Sequence, residues 1–563
     1  MSAASRRTRR DWGAAVAVLL LVALVLRLWG LKTGLPYVYN ADENAHFVPR
    51  AIGMFDHSLN PGYFINPPSF TYLLHVVFAA RWGGEGVQDA YAANVGDVFS
   101  VARVCVAVLG TLAVGLLYAA GVRLFGDRRV AFVAAALLAV CSLPVFYAHF
   151  ALNDVPTLAP LCLALVGIGG VYRRGGGLDY ALAGAGIGLA CATKYTAGIV
   201  VLCLLAAAVA GASERGRVRG LALAALLALV GFLVANPYAL FDFDAFTDGL
   251  TKQSTASNDG GGKLGLTEDD GLAYYLGTLL WGFGWVPALA ALGGGIALAV
   301  RRRRLALVLV PAVVLFVLFM GLQDRFFARW LLPVFPLLCL LAAWGGVALA
   351  DAVAARARLR PGFGAAAVAL AGLALCAQGL VFSVHNDAVL AREDTRMQVR
   401  RWMVANLPPG AKVVVEPVFP DQWATDPGAG RPRWNKWATS RSKVNNDGTL
   451  RRGKGRIVKL EDYERTTRPA LVSSYARGGF CWVVTGSTQY GRAYAEPAEV
   501  PEALRYYAEL RRRGEVVFRA TPYGDGAKPV PFSFDDSFNY QPLAYERPGP
   551  EIVVYRLRGG ECG

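Results

Sequence analysis

The sequence predicts a polytopic α-helical membrane protein with a small α/β domain at its C-terminal end. The chain of 563 residues is 55% hydrophobic and 17% charged, with a mean hydropathy of +0.38, which is too apolar for an ordinary soluble protein. Apolar runs of about 17–25 residues recur, and each is long enough to cross a hydrocarbon core of about 30 Å. From about residue 388 onward the composition becomes mixed and polar, as in a globular domain.

Basic clusters between the apolar runs orient the chain. The residues behind the net charge of +16 sit in short groups such as SRRTRR at 5–10 and RRRR at 301–304. This is the positive-inside pattern rather than a nucleic-acid footprint. It predicts a plasma (inner) membrane protein with a cytoplasmic N-terminus and an extracytoplasmic C-terminal domain. About eleven spans are predicted, at about 13–31, 98–123, 130–148, 155–172, 178–193, 195–212, 220–240, 272–299, 305–321, 329–350 and 363–384.

The first predicted outer loop, residues 32–97, contains an apolar stretch at 69–82 that is too short to span. If it spanned, every later basic cluster would move outside, so we interpret it as an interfacial helix. The membrane domain then covers 1–387 and the extracytoplasmic domain covers 388–563.

In the extracytoplasmic domain the patterning predicts strands and helices. The predicted strands are AKVVVEP, FCWVVTG, EVVFRA and EIVVYRL, and the predicted amphipathic helices are TRMQVRRWMVANL and PEALRYYAELRRR. Cys481 and Cys562 lie in this domain, where disulfides are allowed, and we hypothesise that they pair.

Polar residues in five separate loops all fall on the predicted outer side of the membrane. They are Asp42, Glu43 and His46 in ADENAH, His149 and Asp154 in HFALNDVP, Lys194 and Tyr195 in ATKYTAG, Asp242 and Asp244 in ANPYALFDFDAF, and Arg325 and Arg329 in QDRFFARWLLPVFP. Ionisable groups near a bilayer are costly and are functional candidates by default. Their shared sidedness predicts a site at the outer face.

The order of these motifs resembles the lipid-linked-sugar glycosyltransferases of the GT-C fold. ADENAH with NPP at 66–68, then HFALNDVP, ATKYTAG and RFFARWLLPVFP carry this resemblance. More narrowly, the chain is similar to the bacterial protein O-mannosyltransferase and aminoarabinose-transferase-like group. Residues 394–410 and 546–557 also resemble the C-terminal extracytoplasmic domain of that group.

The resemblance implies transfer of a sugar from a polyprenyl-phosphate carrier to an acceptor in one inverting displacement. Asp42 takes the position of the general base, which removes the acceptor proton, and Glu43 supports it. Asp154 takes the position of an acid that contacts the donor or positions a basic residue. No glycine-rich phosphate loop lies between a predicted strand and a helix, which agrees with a donor other than a nucleotide sugar.

Cations beside the leaving phosphate would stabilise its developing charge. Lys194, Arg325 and Arg329 are the candidates, and the sequence leaves open which arginine binds phosphate. His46, His149 and Tyr195 are candidate substrate or metal contacts. No cofactor is assigned, and a divalent cation stays an open alternative, as does the acceptor, which is a lipid, a glycan, a protein or a small molecule.

Each motif also has an alternative interpretation. Asp42 and Glu43 could cap a helix that starts near Ala45, and Asp154 could cap the span that starts at Val155. The cations could be interfacial anchors that contact membrane lipids. A transporter or a lipid-linked-sugar flippase is the alternative function, although transporters place polar sites near the midplane of the membrane.

Overall fold

The computed structural model describes residues 3–211, 216–258, 264–265, 270–358, 360–426, 430–437, 463–534 and 539–563. Most of these residues are helical, and a small sheet lies in the C-terminal part. The polytopic helical fold with a C-terminal α/β domain is therefore confirmed. The division into domains at residues 387 and 388 stays a prediction, and the last long helix ends at Leu390.

The N-terminal helix α1 covers Ala3–Leu28, and four short helices follow it in the predicted outer loop. They are α2 Ala41–Ala45, α3 Phe47–Gly53, α4 Ser69–Trp82 and α5 Gly86–Ala93. Helix α4 coincides with the predicted interfacial stretch. Helix α2 is capped by Asn40, whose Oδ1 accepts the backbone N–H groups of Asp42 and Glu43 at 3.1 Å each. The alternative interpretation has the two acids cap a helix that starts near Ala45, but the helix that begins there is α3, which follows His46 and receives no side-chain cap hydrogen bond. The capping alternative for the two acids is therefore wrong.

Fourteen further helices build the membrane part among the described residues. They are α6 Val95–Phe125, α7 Arg128–Val140, α8 Ser142–Tyr147, α9 Leu158–Arg173, α10 Gly177–Thr193, α11 Val201–Ala210, α12 Arg217–Ala235, α13 Tyr238–Phe241, α14 Phe243–Asn258, α15 Gly271–Thr278, α16 Trp285–Arg301, α17 Arg303–Gly321, α18 Phe335–Arg356 and α19 Pro361–Leu390. A 3₁₀ turn precedes α11 and another precedes α18, at Tyr195–Val200 and Ala328–Val334.

Seven helical segments are long and apolar enough to cross a membrane, judged by length and composition over the described residues. They are Asp11–Leu28, Val95–Phe125, Arg217–Ala235, Gly271–Arg301, Arg303–Gly321, Ala328–Arg356 and Gly362–Asn406. The four other predicted spans, which lie between residues 130 and 212, coincide with the shorter helices α7 to α11. The chain is an integral membrane protein, and the number of eleven spans stays a prediction.

Small residues let α9, α10 and α12 approach one another closely. A Cβ atom added at Gly184 would lie 2.2 Å from the backbone oxygen of Ala224, and one at Gly188 would lie 2.1 Å from that of Ala228. Close approach of this kind replaces the missing hydrophobic effect as a source of helix association in lipid. It fixes α10, which ends at the predicted site.

The C-terminal part is a sheet covered by helices on both faces. Its elements are α20 Thr395–Asn406, β1 Lys412–Val415, β2 Asn435–Lys436, α21 Pro469–Arg477, β3 Trp482–Gly486, α22 Ser487–Ala495, α23 Pro501–Arg513, β4 Gly514–Ala520 and β5 Ile552–Leu557. The strand order is β2-β1-β3-β5-β4, with β1 parallel to β2 and β3, and β5 antiparallel to β3 and β4. The four predicted strands and both predicted helices are confirmed.

Neighbouring residues of β3 show how the two faces are filled. Val483 packs in the cluster that holds α21 and α23, and Val484 packs with Met403 of α20. This alternation is what a strand buried on both faces requires. A disulfide between Cys481 and Cys562 ties β3 to the chain end, as hypothesised from the sequence.

One segment of the C-terminal part docks onto the membrane helices. Asn539 is 2% exposed, and its Oδ1 accepts a hydrogen bond of 2.5 Å from the Tyr147 hydroxyl of α8. The backbone N–H of Gln541 donates to Asn386 Oδ1 of α19 at 2.9 Å. These buried contacts hold the C-terminal part against one end of the helices.

Candidate active site

Four of the predicted site residues form one chain of alternating charges. The Asp42 carboxylate pairs with the Arg329 guanidinium, and the Asp154 carboxylate pairs with the Lys194 ammonium. Arg329 Nε also lies 3.6 Å from Asp154 Oδ2, so that this arginine links both acids. Two negative and two positive groups cancel, and this lets them stay ionised away from bulk water.

Each member of this chain lies where a regular element begins or ends. Asp42 is in the first turn of α2, and Asp154 is in the loop between α8 and α9. Lys194 is the extended residue that follows α10, with φ −153° and ψ 119°. Arg329 is in the 3₁₀ turn that precedes α18. The capping alternative for Asp154 is wrong, because α9 begins only at Leu158 and the carboxylate is paired with Lys194.

Asp42 is the member of the chain that solvent reaches best. Its side chain is 40% exposed, against 15% for Arg329, 12% for Lys194 and 4% for Asp154. Burial raises the pKa of Asp42, but Arg329 and His46 lower it by more, and the pKa lies below its ordinary value of 3.8. Asp42 is therefore a carboxylate at neutral pH, able to accept a proton from a bound group.

Glu43 points away from the solvent-exposed side of Asp42 and is fully buried. Arg103 binds both of its carboxylate oxygens, with Nε···Oε1 2.7 Å and Nη2···Oε2 2.8 Å. Glu43 Oε1 also accepts the backbone N–H of Ala151 at 2.8 Å. Glu43 thus joins the α2 turn to the loop that carries Asp154, which is the geometry of a positioning residue.

Arg103 is a further residue of the site that lies outside the sequence motifs. Its Nη1 donates to the carbonyl oxygens of Leu31 at 2.7 Å and Thr33 at 2.8 Å, in addition to the Glu43 pair. It is 1% exposed and lies on α6. A signal was present in the sequence, because an arginine inside an apolar span is costly unless it is paired.

His46 lies beside Asp42 and is packed against an aromatic ring. His46 Nε2 is 3.8 Å from Asp42 Oδ1, and the imidazole stacks on Tyr63 with ring centres 5.0 Å apart. Burial lowers the pKa of His46, although Asp42 opposes this, so the ring is neutral at pH 7. Because the His46 ring is neutral at pH 7, the positive charge that faces Asp42 is that of Arg329.

No group of three or more His, Cys, Asp or Glu side chains within the described ranges could hold a metal ion. At His46 a divalent cation would have to share Asp42 with the Arg329 guanidinium, which repels it. The divalent cation stays an open alternative from the sequence.

Two more predicted residues lie at the edge of the charged chain. Arg325 lines the same cavity as Asp42, and its guanidinium carbon is 5.2 Å from the ring centre of Phe327. The Tyr195 hydroxyl donates to the carbonyl oxygen of Phe64 at 2.9 Å and so ties the 3₁₀ turn before α11 to the predicted outer loop. Arg325 is placed to meet a ligand in the cavity, and Tyr195 holds the loop beside it.

His149 is not brought into the cavity. It is fully buried, with Nε2 2.7 Å from the carbonyl oxygen of Trp29 and 3.5 Å from Asp387 Oδ1. Its Nδ1 lies 3.0 Å from the carbonyl oxygen of Val145. These contacts join α1, α8 and α19 behind the site.

A cavity of about 880 Å³ lies between the charged chain and the C-terminal domain. Asp42, Arg325 and Arg329 line it on the membrane side. Residues of α22 and of the segments 417–420, 529–534 and 548–551 line it on the other side. This volume is at the upper end of the range of about 300–1,000 Å³ that small-molecule sites occupy.

A protein-family model described as dolichyl-phosphate-mannose-protein mannosyltransferase matches residues 88–239. The match includes Asp154 and Lys194 and covers less than half of the chain. The search of curated proteins gave no match.

Among solved structures, ArnT from Cupriavidus metallidurans bound to undecaprenyl phosphate is similar over 96% of this chain and 97% of that chain, with 15% identity and a TM-score of 0.51. The Archaeoglobus fulgidus oligosaccharyltransferase tethered with an acceptor peptide is similar over 95% of this chain and 76% of that chain, with 15% identity and a TM-score of 0.52. The chain has the GT-C fold.

In this GT-C fold the charged chain is assembled from four separate segments at the end of the helices that faces the C-terminal domain. The family match and the GT-C fold together support a lipid-linked-sugar glycosyltransferase in general terms.

Proposed function

We propose that this chain is an inverting glycosyltransferase that moves a sugar from a polyprenyl-phosphate carrier to an acceptor on the extracytoplasmic face. The observation that carries the proposal is the exposed Asp42 carboxylate, which lines a cavity and is linked to Arg329, Asp154 and Lys194. A base next to several cations is what an acceptor hydroxyl and a phosphate leaving group need together.

Asp42 is the proposed general base. As the acceptor oxygen forms its bond to the anomeric carbon, the hydroxyl proton passes to Asp42. The bond between the anomeric carbon and the phosphate oxygen breaks, and its electron pair leaves with the polyprenyl phosphate. Attack from the face opposite the leaving group inverts the anomeric centre. The lowered pKa of Asp42 keeps the base ionised and ready before the acceptor binds.

Arg329 and Arg325 are the proposed phosphate contacts, because both line the cavity with Asp42. Lys194 lies one ion pair further away and neutralises Asp154, which in turn orients Arg329. Asp154 and Lys194 are therefore proposed to set the position and the charge of the arginine rather than to contact the sugar. A likeness to a structure bound to undecaprenyl phosphate supports a polyprenyl phosphate as the carrier.

Transfer from a panel of radiolabelled polyprenyl-phosphate sugars tests the proposal. The purified full-length protein is assayed in detergent, with and without EDTA, for release of polyprenyl phosphate. Wild type should release it, and Asp42→Asn should lower the rate by about 10²–10⁴-fold, the usual contribution of a general base. Donor binding should persist, because the arginines remain.

Asp244→Asn is the matched control, since Asp244 is an exposed acid in the first turn of α14 and is not part of the cavity wall. It should keep the wild-type rate. Equal loss in both variants, or full activity of Asp42→Asn, contradicts the role of Asp42. Lipid binding without release from any donor would favour a transporter or flippase instead. Loss of release with EDTA would show that a divalent cation takes part.

A further inference from the structure

We infer that the acceptor is a neutral carbohydrate, bound on the side of the cavity that the C-terminal domain builds. The inference rests on the proposed function and names the class of acceptor for the same site. It is carried by the aromatic character of that wall, by the pairing of its charges and by uncharged polar groups close to Asp42.

The wall contributed by the C-terminal domain is rich in aromatic rings. Tyr490 and Tyr494 are four residues apart on α22, and both line the cavity, with ring centres 6.5 Å apart. Phe532 and Tyr545 line it from the segments that follow. The axial C–H groups of a sugar ring form an apolar face, and an aromatic ring offers it a flat, electron-rich surface. Several such rings in one wall suit a chain of sugars.

Charged groups in the same wall each have a partner of opposite charge, and this includes Arg492, whose Nη1 lies 4.0 Å from Glu464 Oε1. Arg396 is bound to Asp394 by bonds of 2.6 and 2.8 Å. Glu551 is paired with Arg519 and accepts the Tyr490 hydroxyl at 3.0 Å. A phosphate or carboxylate acceptor would have to compete with these carboxylates for the arginines, and each displaced acid would lose a charge-assisted bond. The wall therefore favours an uncharged ligand.

Uncharged polar groups lie where the reacting hydroxyl would sit. Asn44 lines the cavity two positions after Asp42, and its amide can donate to and accept from hydroxyl groups. Tyr39 also lines the cavity, and its hydroxyl is buried and makes no hydrogen bond within the described part of the chain. A buried polar group without a partner is costly, and a sugar hydroxyl would satisfy it.

The two ends of the cavity then have separate tasks. The arginines beside Asp42 hold the phosphate end of the donor, and the aromatic wall holds sugar rings of the acceptor. The terminal hydroxyl of the acceptor reaches Asp42 between them, gives up its proton to that carboxylate and forms the new bond to the anomeric carbon. The polyprenyl phosphate leaves with the electron pair of the broken bond.

Saturation-transfer NMR on the full-length protein in nanodiscs tests this inference. The neutral probes are maltotetraose, cellotetraose and α-1,6-mannotetraose, and the comparison probes are glucosamine 1-phosphate and a hexapeptide with Ser and Thr. At least one tetrasaccharide should bind and should stimulate release of polyprenyl phosphate. Tyr494→Ala should weaken that binding on the order of tenfold.

Tyr494→Phe is the matched control, because it keeps the ring, and it should bind as wild type does. Tyr494 is 43% exposed, so its truncation leaves the core intact, and Tyr545→Ala serves as a second truncation. Absence of binding for every tetrasaccharide, or equal binding by wild type and both alanine variants, overturns the inference. Release stimulated only by the phosphate or peptide probe overturns it while leaving the proposed function in place. No release with any donor and acceptor refutes the proposed function itself.

Discussion

Arg103 and Glu43 form a buried bidentate ion pair, with both N···O distances below 2.9 Å and both side chains at most 1% exposed. Glu43 is the immediate neighbour of Asp42, and its other contact is the backbone of the loop that carries Asp154. Because the pair joins α6, α2 and that loop, it fixes the distance between the two acids that share Arg329.

Removing one partner of this pair should destabilise the protein strongly. Arg103→Met leaves the Glu43 carboxylate buried without its cation, and we expect a loss of about 3–5 kcal/mol in unfolding free energy. Glu43→Gln should cost a similar amount. Thermal unfolding in detergent measures both. In Glu43→Gln/Arg103→Met neither charge is left alone, so the double variant should lose less than the sum of the two single losses. Additive losses would contradict the pairing.

The acid side of the pH–rate profile should report Asp42. Its folded-state pKa is below the ordinary value of 3.8, so the transfer rate should stay constant from neutral pH down to about 5 and fall only below 3.8. The same shift stabilises the fold above the ordinary pKa, and this stabilisation is lost as the pH falls through the folded-state pKa.

Arg329→Gln removes the strongest of the influences that lower the pKa of Asp42, so the effect of burial should prevail. The acid limb of the residual activity should then move to higher pH. Arg325→Gln is the control, because Arg325 lowers this pKa least of the named groups, and it should move the limb less. A limb that stays in place in Arg329→Gln would show that Asp42 is not the titrating base.

A second pH effect is expected from Glu416 in the C-terminal domain. Glu416 is fully buried, and it accepts the backbone N–H of Gly486 at 2.7 Å and the Tyr507 hydroxyl at 2.8 Å. Burial raises its pKa from 4.5 to about 8, so the folded protein holds a proton that the unfolded chain releases. Stability from this group is complete below pH 4.5 and decreases as the pH rises to about 8.

Glu416→Gln mimics the protonated side chain and should remove this dependence. Urea unfolding of wild type and variant between pH 5 and pH 9 measures it, and the difference between the two should grow toward high pH by on the order of a few kcal/mol. Parallel curves for the two proteins would show that Glu416 does not titrate in this range. Glu509→Gln, an exchange at an acid of the same domain whose pKa is lowered below its ordinary value of 4.5 by Arg512, should leave the pH dependence above pH 5 as in wild type.

The disulfide between Cys481 and Cys562 should stabilise the C-terminal domain. It closes 81 positions of sequence, and loop-closure entropy for that length corresponds to about 4.5 kcal/mol. Cys481→Ala/Cys562→Ala should therefore unfold at a lower temperature than wild type, and reductant should lower the wild-type unfolding temperature alone. If reductant has the same effect on the double variant, the stabilisation has another source. The other seven cysteines lie in apolar segments of the membrane part.

Local patterns predicted the helices and strands well, but not the partners of individual residues. The run at 69–82 forms α4. This helix could be predicted because its fourteen residues themselves carry the apolar composition. The alternative placed Asp42 and Glu43 before a helix that starts near Ala45, whereas both acids lie inside α2, which starts at Ala41 and is capped by Asn40. Asn and Asp are both good N-cap residues, so the sequence alone does not show which of several neighbours caps a helix. The answer depends on the residue at which the helix begins.

Asp42, Asp154, Lys194 and Arg329 could be selected from the sequence, since ionisable residues beside apolar runs are conspicuous. Arg103 was overlooked because its partner lies 60 positions away, outside any local pattern. His149 was selected for its position beside a span, yet its ring nitrogens bind backbone carbonyls in the interior.

The sequence by itself determined that the chain crosses a membrane many times and ends in an α/β domain, because hydrophobicity and periodicity act within one segment. It also placed the acids and bases on one predicted side. Only the tertiary structure decided that Asp42 meets Arg329 across 287 positions and that the C-terminal domain covers them with an aromatic wall. Ion pairs and cavity walls of this kind depend on how segments that are distant in sequence pack together. A local sequence pattern carries no information on which distant segments meet.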